Sequence, residues 1–173
     1  MEIINFNKLV RDKIPKQIKK NGGKCKVKIL SVEGLKDSLP QKLEEEVGEL
    51  INATTPKDKL SECADVVEVL LTASALNYFS LFSLREERGE FRRNTNLVPE
   101  ILIPTLTQLV KDYHEDRSRE SVRKISAIGI EVILEIVKIE GFTREELERQ
   151  ISDKKKSRGG FRKGYFLVWA TKK

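Results

Sequence analysis

The sequence predicts a mainly α fold: an antiparallel helical bundle with a small two-stranded β element built from the N- and C-terminal segments. Three observations carry this. The stretches Leu39–Ile51, Pro56–Asn77 and Val122–Ile139 repeat apolar residues at helical spacing. A short polar connection between the first two folds them into a hairpin. Clean strand character is confined to Lys24–Ile29 and the end of the tail RGGFRKGYFLVWA.

The elements follow in order. The segment NKLVRDKIP (Asn7–Pro15) gathers Lys8, Arg11 and Lys13 around Leu9, Val10 and Ile14. A short helix runs on to about Lys20, where Asn21-Gly22-Gly23 supplies turn chemistry. Lys24–Ile29 alternates lysines with Cys25, Val27 and Ile29, a half-buried strand with those three inward. The first long helix is expected from about Leu39, with Ser38 as N-cap and Gln41 completing a capping box. Its buried stripe is Leu39, Leu43, Val47, Leu50 and Ile51. Thr55 caps the next helix and Pro56 takes its first position, where a missing N–H costs nothing. Beyond Asn77, FSLFSL is apolar, and REERGEFRRNTN reads as a loop or helix end. Leu97–Tyr113 reads as a helix bent by Pro99 and Pro104. Val122, Ile125, Ile128, Val132, Ile133 and Ile136 line one side of the helix that Gly141 ends. Thr143 and Glu146 form a capping box for a last helix through about Lys154. The tail then turns through its glycines into a strand that pairs with Lys24–Ile29.

Composition narrows the chemistry. A chain of 173 residues, 39% hydrophobic and 35% charged, suits one soluble domain with a real core. No apolar run is long enough to span a bilayer, and the N-terminus lacks the apolar region and cleavage site of a secretory leader. A cytoplasmic location is the expectation. Cys25 and Cys63 lack a CxxC spacing or nearby histidines, so they read as small apolar residues rather than a zinc site or disulfide framework. His114 is the single histidine and lies in the polar stretch KDYHEDRSRE, which excludes a His-based triad. The net charge of +6 suits an anionic partner without choosing between nucleotide and nucleic acid. No aromatic-interleaved basic patch supports nucleic acid, which is not expected as a partner.

The acidic residues are the informative feature. Glu46 and Glu49 stand one turn apart beside the Leu43/Leu50 stripe, and Glu62 and Asp65 repeat that spacing on the facing helix. Glu44 and Glu45 point further away. Between Ala64 and Leu76 the only charged residues are Asp65 and Glu68, amid valine, leucine and alanine. A buried carboxylate must be protonated, paired with a base or bound to a cation. Carboxylates from facing helices without histidine suit a hard ion such as magnesium, which also binds phosphate oxygens. An internal salt bridge to lysine or arginine is the competing reading, and a solvated face is the ordinary one for Glu44–Glu46 alone.

The pattern EExxE followed by ExxD, here Glu45, Glu46, Glu49 and then Glu62, Asp65, resembles the all-α nucleoside triphosphate pyrophosphohydrolase superfamily. The flanks NKLVRDKIP and SRGGFRKGYFL are similar to its MazG-like, phosphoribosyl-ATP pyrophosphohydrolase-like branch. The resemblance covers about Ile4–Asn77 and Val132–Leu167, so that residues 79–127 read as a helical insertion within a single domain, 1–173. It implies hydrolysis of a nucleoside triphosphate, or a related nucleotide, to monophosphate and pyrophosphate, a reaction that suits nucleotide-pool house-cleaning. By motif position Glu46, Glu49, Glu62 and Asp65 would hold Mg2+, with Mn2+ as a substitute. Glu45, with Glu46, would form the catalytic pair, Glu45 orienting or deprotonating the attacking water. Glu68, one turn beyond Asp65, would back the ligands or touch the substrate.

A triphosphate also needs cationic side chains. Lys8, Arg11 and Lys13 at the front, and Lys156, Arg158 and Lys163 at the back, are the candidates, with Gly159-Gly160 offering backbone N–H groups. The plainer alternatives are an Arg11–Asp12 network at a helix start and a glycine turn into a strand. The resemblance further implies a homo-oligomer, dimer or tetramer. The rival functional readings are a non-catalytic helical protein binding nucleic acid or a protein through its basic surface, and a relative that binds a nucleotide without hydrolysing it.

Overall fold

A computed structural model describes residues 2–79 and 84–171. Among them are seven helices and three strands, and no helix is long and apolar enough to cross a membrane. The helices are α1 (Ile14–Lys20), α2 (Val32–Asn52), α3 (Pro56–Leu76), α4 (Arg85–Asn94), α5 (Pro99–Glu115), α6 (Arg119–Ile139) and α7 (Arg144–Arg158). The strands are β1 (Ile3–Leu9), β2 (Cys25–Ile29) and β3 (Tyr165–Thr171).

Helix α3 is the axis of the bundle, packed by α2, α6 and α7. That explains its composition, because a helix covered on most sides has no polar face to keep. Residues Cys63–Leu70 are buried without a break. The Thr55 hydroxyl accepts the Asp58 N–H at 3.1 Å and starts the helix as the sequence predicts. One apolar cluster runs from Leu39 and Leu43 through Val66 and Leu70 to Leu106, Tyr113, Ile133 and Leu147. Residues 84–127 therefore add α4, α5 and the start of α6 to the same core.

Helix α2 begins earlier than expected. Its N-cap is Ser31, whose hydroxyl accepts the Gly34 N–H at 3.0 Å. Ser38 and Gln41 lie inside the helix, and Ser38 Oγ donates back to the Gly34 carbonyl at 2.8 Å. Pro40 is a buried mid-helix proline whose lost hydrogen bond is outweighed by the packing around it. The stripe Leu39, Leu43, Val47 and Leu50 is buried, but Ile51 is 49% exposed in the last turn. Arg85–Asn94 forms a helix rather than a loop, because the buried Glu131 carboxylate on α6 gathers Arg88 and Arg92 from its successive turns. The apolar residues 80–83 lie outside the described residues. Helix α5 keeps Pro104 within it. The Thr143–Glu146 capping box is present, and α7 runs on to Arg158. Ile128 is half-buried against the α6 core rather than fully inside.

The sheet has three strands, not two. β3 is central, in the order β1-β3-β2, and antiparallel to both neighbours. Ile3 pairs with Thr171 and Leu9 with Phe166, while Cys25 pairs with Ala170 and Ile29 with Tyr165. β1 carries no period of two because its register shifts between Asn5 and Lys8, with Asn7 at φ 46°. Ile29, expected inward, is 73% exposed at the strand end.

The two thiols differ in setting. Cys63 is fully buried, and burial, reinforced by nearby Glu140 and Glu62, pushes its thiol up to about 12. Cys25 is half-buried in β2. The native protein is expected to titrate one thiol with Ellman's reagent, the second appearing only in denaturant. Two rapid native equivalents would contradict this packing.

Candidate metal centre

Glu46 and Glu49 project from one face of α2, and Glu62 meets them from the first half of α3. Each offers an oxygen, and the three lie within 4.8 Å of one another. Glu46 is buried, Glu62 half-buried and Glu49 exposed, so the group is open on one side. Burial raises the Glu46 carboxyl above its usual range; Lys42 opposes this, and Asp65 and Glu49 add to it. Burial also raises Glu62, with Lys154 opposing and Asp65 and Glu49 adding. One Glu62 oxygen is buried and finds no hydrogen-bond partner among the described residues. Three crowded carboxylates with an unsatisfied oxygen form a donor set that a hard cation fits.

Asp65 lies close enough to raise Glu46 and Glu62, but it is engaged by cations. Its carboxylate is gripped by Arg11, at 2.5 Å, and by Lys154, with all three side chains buried. Burial alone would raise Asp65, but Lys154 and Arg11 outweigh it and hold the group below the usual carboxylate range. The competing salt-bridge reading therefore describes Asp65, and the converging trio excludes it. Arg11 is fixed further by the Gly159 carbonyl at 2.9 Å and by the Phe161 ring at 5.3 Å. Lys154 also donates to the Ser61 carbonyl at 2.6 Å.

The remaining candidates separate into engaged and exposed groups. Lys8 reaches Glu45 at 2.6 Å, and Lys42 bridges Glu45 at 3.0 Å and Glu46 at 2.7 Å. Burial would raise Glu45, but Lys8 and Lys42 hold it below its ordinary value. Glu45 and Lys8 line an open cavity of about 380 Å3 with Phe6, Asn7 and Gly48. Lys13 is exposed and donates to the Lys156 carbonyl at 2.5 Å. Lys156, 3.7 Å from Asp153, and Arg158 are exposed on the last turn of α7. Arg11 is committed to Asp65 and is not presented to a phosphate. Of the expected anion-binding glycine pair, the Gly159 N–H is taken by the Lys155 carbonyl, while the Gly160 carbonyl accepts the Asp12 N–H at 2.7 Å. Asp12 pairs with the Lys163 N–H at 2.9 Å rather than with Arg11. Glu44 is exposed beside His114, itself exposed in the last turn of α5 as the sequence predicts. Glu68 is 3% exposed, with one oxygen 3.7 Å from Lys155 and the other unpartnered among the described residues.

Sequence reasoning missed Lys42 and Lys154. Both carried a signal. Lys154 continues the face of Leu147 and Ile151 at spacings of four and three, and Lys42 adjoins the Leu39/Leu43 stripe one turn before Glu46. A lysine on a buried stripe needs an acid to meet it.

No protein-family model matches this chain, no curated protein is detectably similar to it, and no solved structure matches it.

Proposed function

We propose that the chain is a magnesium-dependent pyrophosphohydrolase, converting a nucleoside triphosphate or related nucleotide to the monophosphate and pyrophosphate. The observation that supports this most is the convergence of Glu46, Glu49 and Glu62, with the unpartnered Glu62 oxygen among them. These are motif positions of the resemblance to the all-α pyrophosphohydrolases, and an oxygen-only donor set suits Mg2+ or Mn2+. The bound ion would neutralise phosphate charge and make a water more acidic. Glu46, Glu49 and Glu62 would hold it.

The chain's own residues have the remaining tasks. Glu45, kept ionised by Lys8 and Lys42, lines a cavity with them, and its task would be to accept a proton from water. Lys13, Lys156 and Arg158 are exposed around the junction of α1 and α7 and offer positive charge to a polyphosphate. Asp65 acts by position: it neutralises Arg11 and Lys154 and so ties α3 to the N-terminal segment and α7. Assembly as a dimer or tetramer and a cytoplasmic setting belong to the same proposal.

The test is pyrophosphate release from a panel of canonical and modified nucleoside triphosphates, with Mg2+ and with EDTA. Metal-dependent release with monophosphate as co-product is the expected result. No turnover, together with no rise in melting temperature on adding Mg2+, would overturn the proposal and favour a non-catalytic binding protein.

A further inference from the structure

Glu68 belongs to no ion pair as close as those of Asp65, and the centre above does not use it. It lines a cavity of about 280 Å3 that also touches Leu35, Leu71, Leu76 and Gly160. The side chain is 3% exposed, and its Oε2 has no hydrogen-bond partner among the described residues. Its other oxygen is 3.7 Å from Lys155, whose ammonium is half in solvent, beyond ordinary hydrogen-bond length. Gly160 keeps the approach narrow but free: a Cβ there would come within 2.9 Å of Glu68 Oε1. The cavity has an apolar side of Leu35, Leu71, Ala75 and Leu76 and a polar rim that includes Asp12, Thr72, Lys155 and Arg162. A buried carboxylate with unused acceptor capacity beside it is costly unless something donates to it.

The walls and the acid together specify a ligand. The leucines suit the faces of a flat ring, and a cavity of this size suits a base rather than a whole nucleotide. An ionised carboxylate only accepts hydrogen bonds, on two oxygens side by side. Among the common bases, only guanine sets two adjacent N–H donors, the ring imino and the exocyclic amino group, on one edge. Adenine and cytosine place an acceptor beside their amino group, and uracil flanks its N–H with carbonyl oxygens that a carboxylate repels. We propose that this cavity takes the base of a guanine nucleotide, read by Glu68 through that paired-donor edge. Lys155 and Arg162, exposed at the cavity, are available to the sugar or phosphate side. The assignment rests on the nucleotide reading above and names the base for it.

The experiment is calorimetric titration of the whole chain with GMP, IMP, AMP and UMP in EDTA, so that the metal centre makes no contribution. IMP differs from GMP only in lacking the exocyclic amino group. GMP is expected to bind about tenfold or more tightly than IMP, since an unmatched buried acceptor discriminates strongly. Glu68→Gln, nearly the same shape, is expected to erase that preference. Ala75→Phe, a substitution at an exposed α3 position lining the cavity, is expected to weaken every purine without threatening the fold. Equal affinity for GMP and IMP, or a preference that survives Glu68→Gln, would overturn the assignment. Indiscriminate hydrolysis of all nucleotides without GMP selectivity would also remove it while leaving the reaction standing. Guanine-selective binding with no hydrolysis would do the reverse.

Discussion

Asp65→Ala is expected to lower stability by about 3–5 kcal/mol, because it strands two buried cations at once. The Arg11 and Lys154 side chains are 6% and 7% exposed, so neither can turn to water without dragging its segment along. Arg11 is tied to the Gly159 carbonyl and Lys154 to the Ser61 carbonyl, which fixes both ammonium and guanidinium groups where Asp65 now meets them. Urea denaturation at neutral pH in EDTA measures the loss. Were Asp65 chiefly a metal ligand, removing it from metal-free protein would relieve repulsion with Glu46 and Glu62 and raise stability. The pH dependence has a definite sign. Asp65 titrates lower in the folded chain than an ordinary aspartate does, so its contribution is present above the ordinary aspartate range and lost as pH falls through the folded value.

Glu49→Gln is expected to behave in the opposite way. Glu49 is exposed, and its charge raises both Glu46 and Glu62, so the amide leaves metal-free stability unchanged or slightly higher. Pyrophosphate release should fall by about 10²–10³-fold, the scale seen when one electrostatic stabiliser of a transition state is removed. The rise in melting temperature that Mg2+ gives the parent protein should shrink or vanish. Activity within a few-fold of the parent would take Glu49 out of the centre. The two variants thus separate an acid that holds the fold from one that holds an ion.

Local rules carried the reading where one stretch of chain decides the outcome. Thr55-Pro56 and the Thr143–Glu146 box announce their helices because a cap needs only four residues. The trio of glutamates was legible because helical spacing aligns Glu46 with Glu49, and a short connection brings Glu62 to face them. Reading failed where distant chain decides. Ser38 looked like a cap because Gln41 stands at capping-box spacing from it, but the helix already starts at Ser31 and runs on through the buried Pro40. β1 was not read as a strand because a bulge breaks its alternation, and its partner lies at the other end of the chain. Asp65 could be read as ligand or as ion pair, and the choice rested on Lys154, 89 residues away. The spacing of Lys154 on the Leu147/Ile151 face marks it as in need of an acid, but does not say which acid it meets.

The central place of β3 has a consequence for the order in which the molecule comes into being. Neither β1 nor β2 has β3 to pair with until residues 165–171 have left the ribosome, so the whole sheet waits for that segment. The acidic hairpin of α2 and α3 emerges long before, with Lys42 on board but without Lys154. Arg11 is already made, yet the Gly159 carbonyl and Phe161 ring that fix it are not. Closing contacts of such long sequence separation is slow, so the newborn chain passes through a period in which Asp65 lacks its full set of counterions. Nascent copies are therefore more exposed to aggregation and proteolysis before β3 docks than after it.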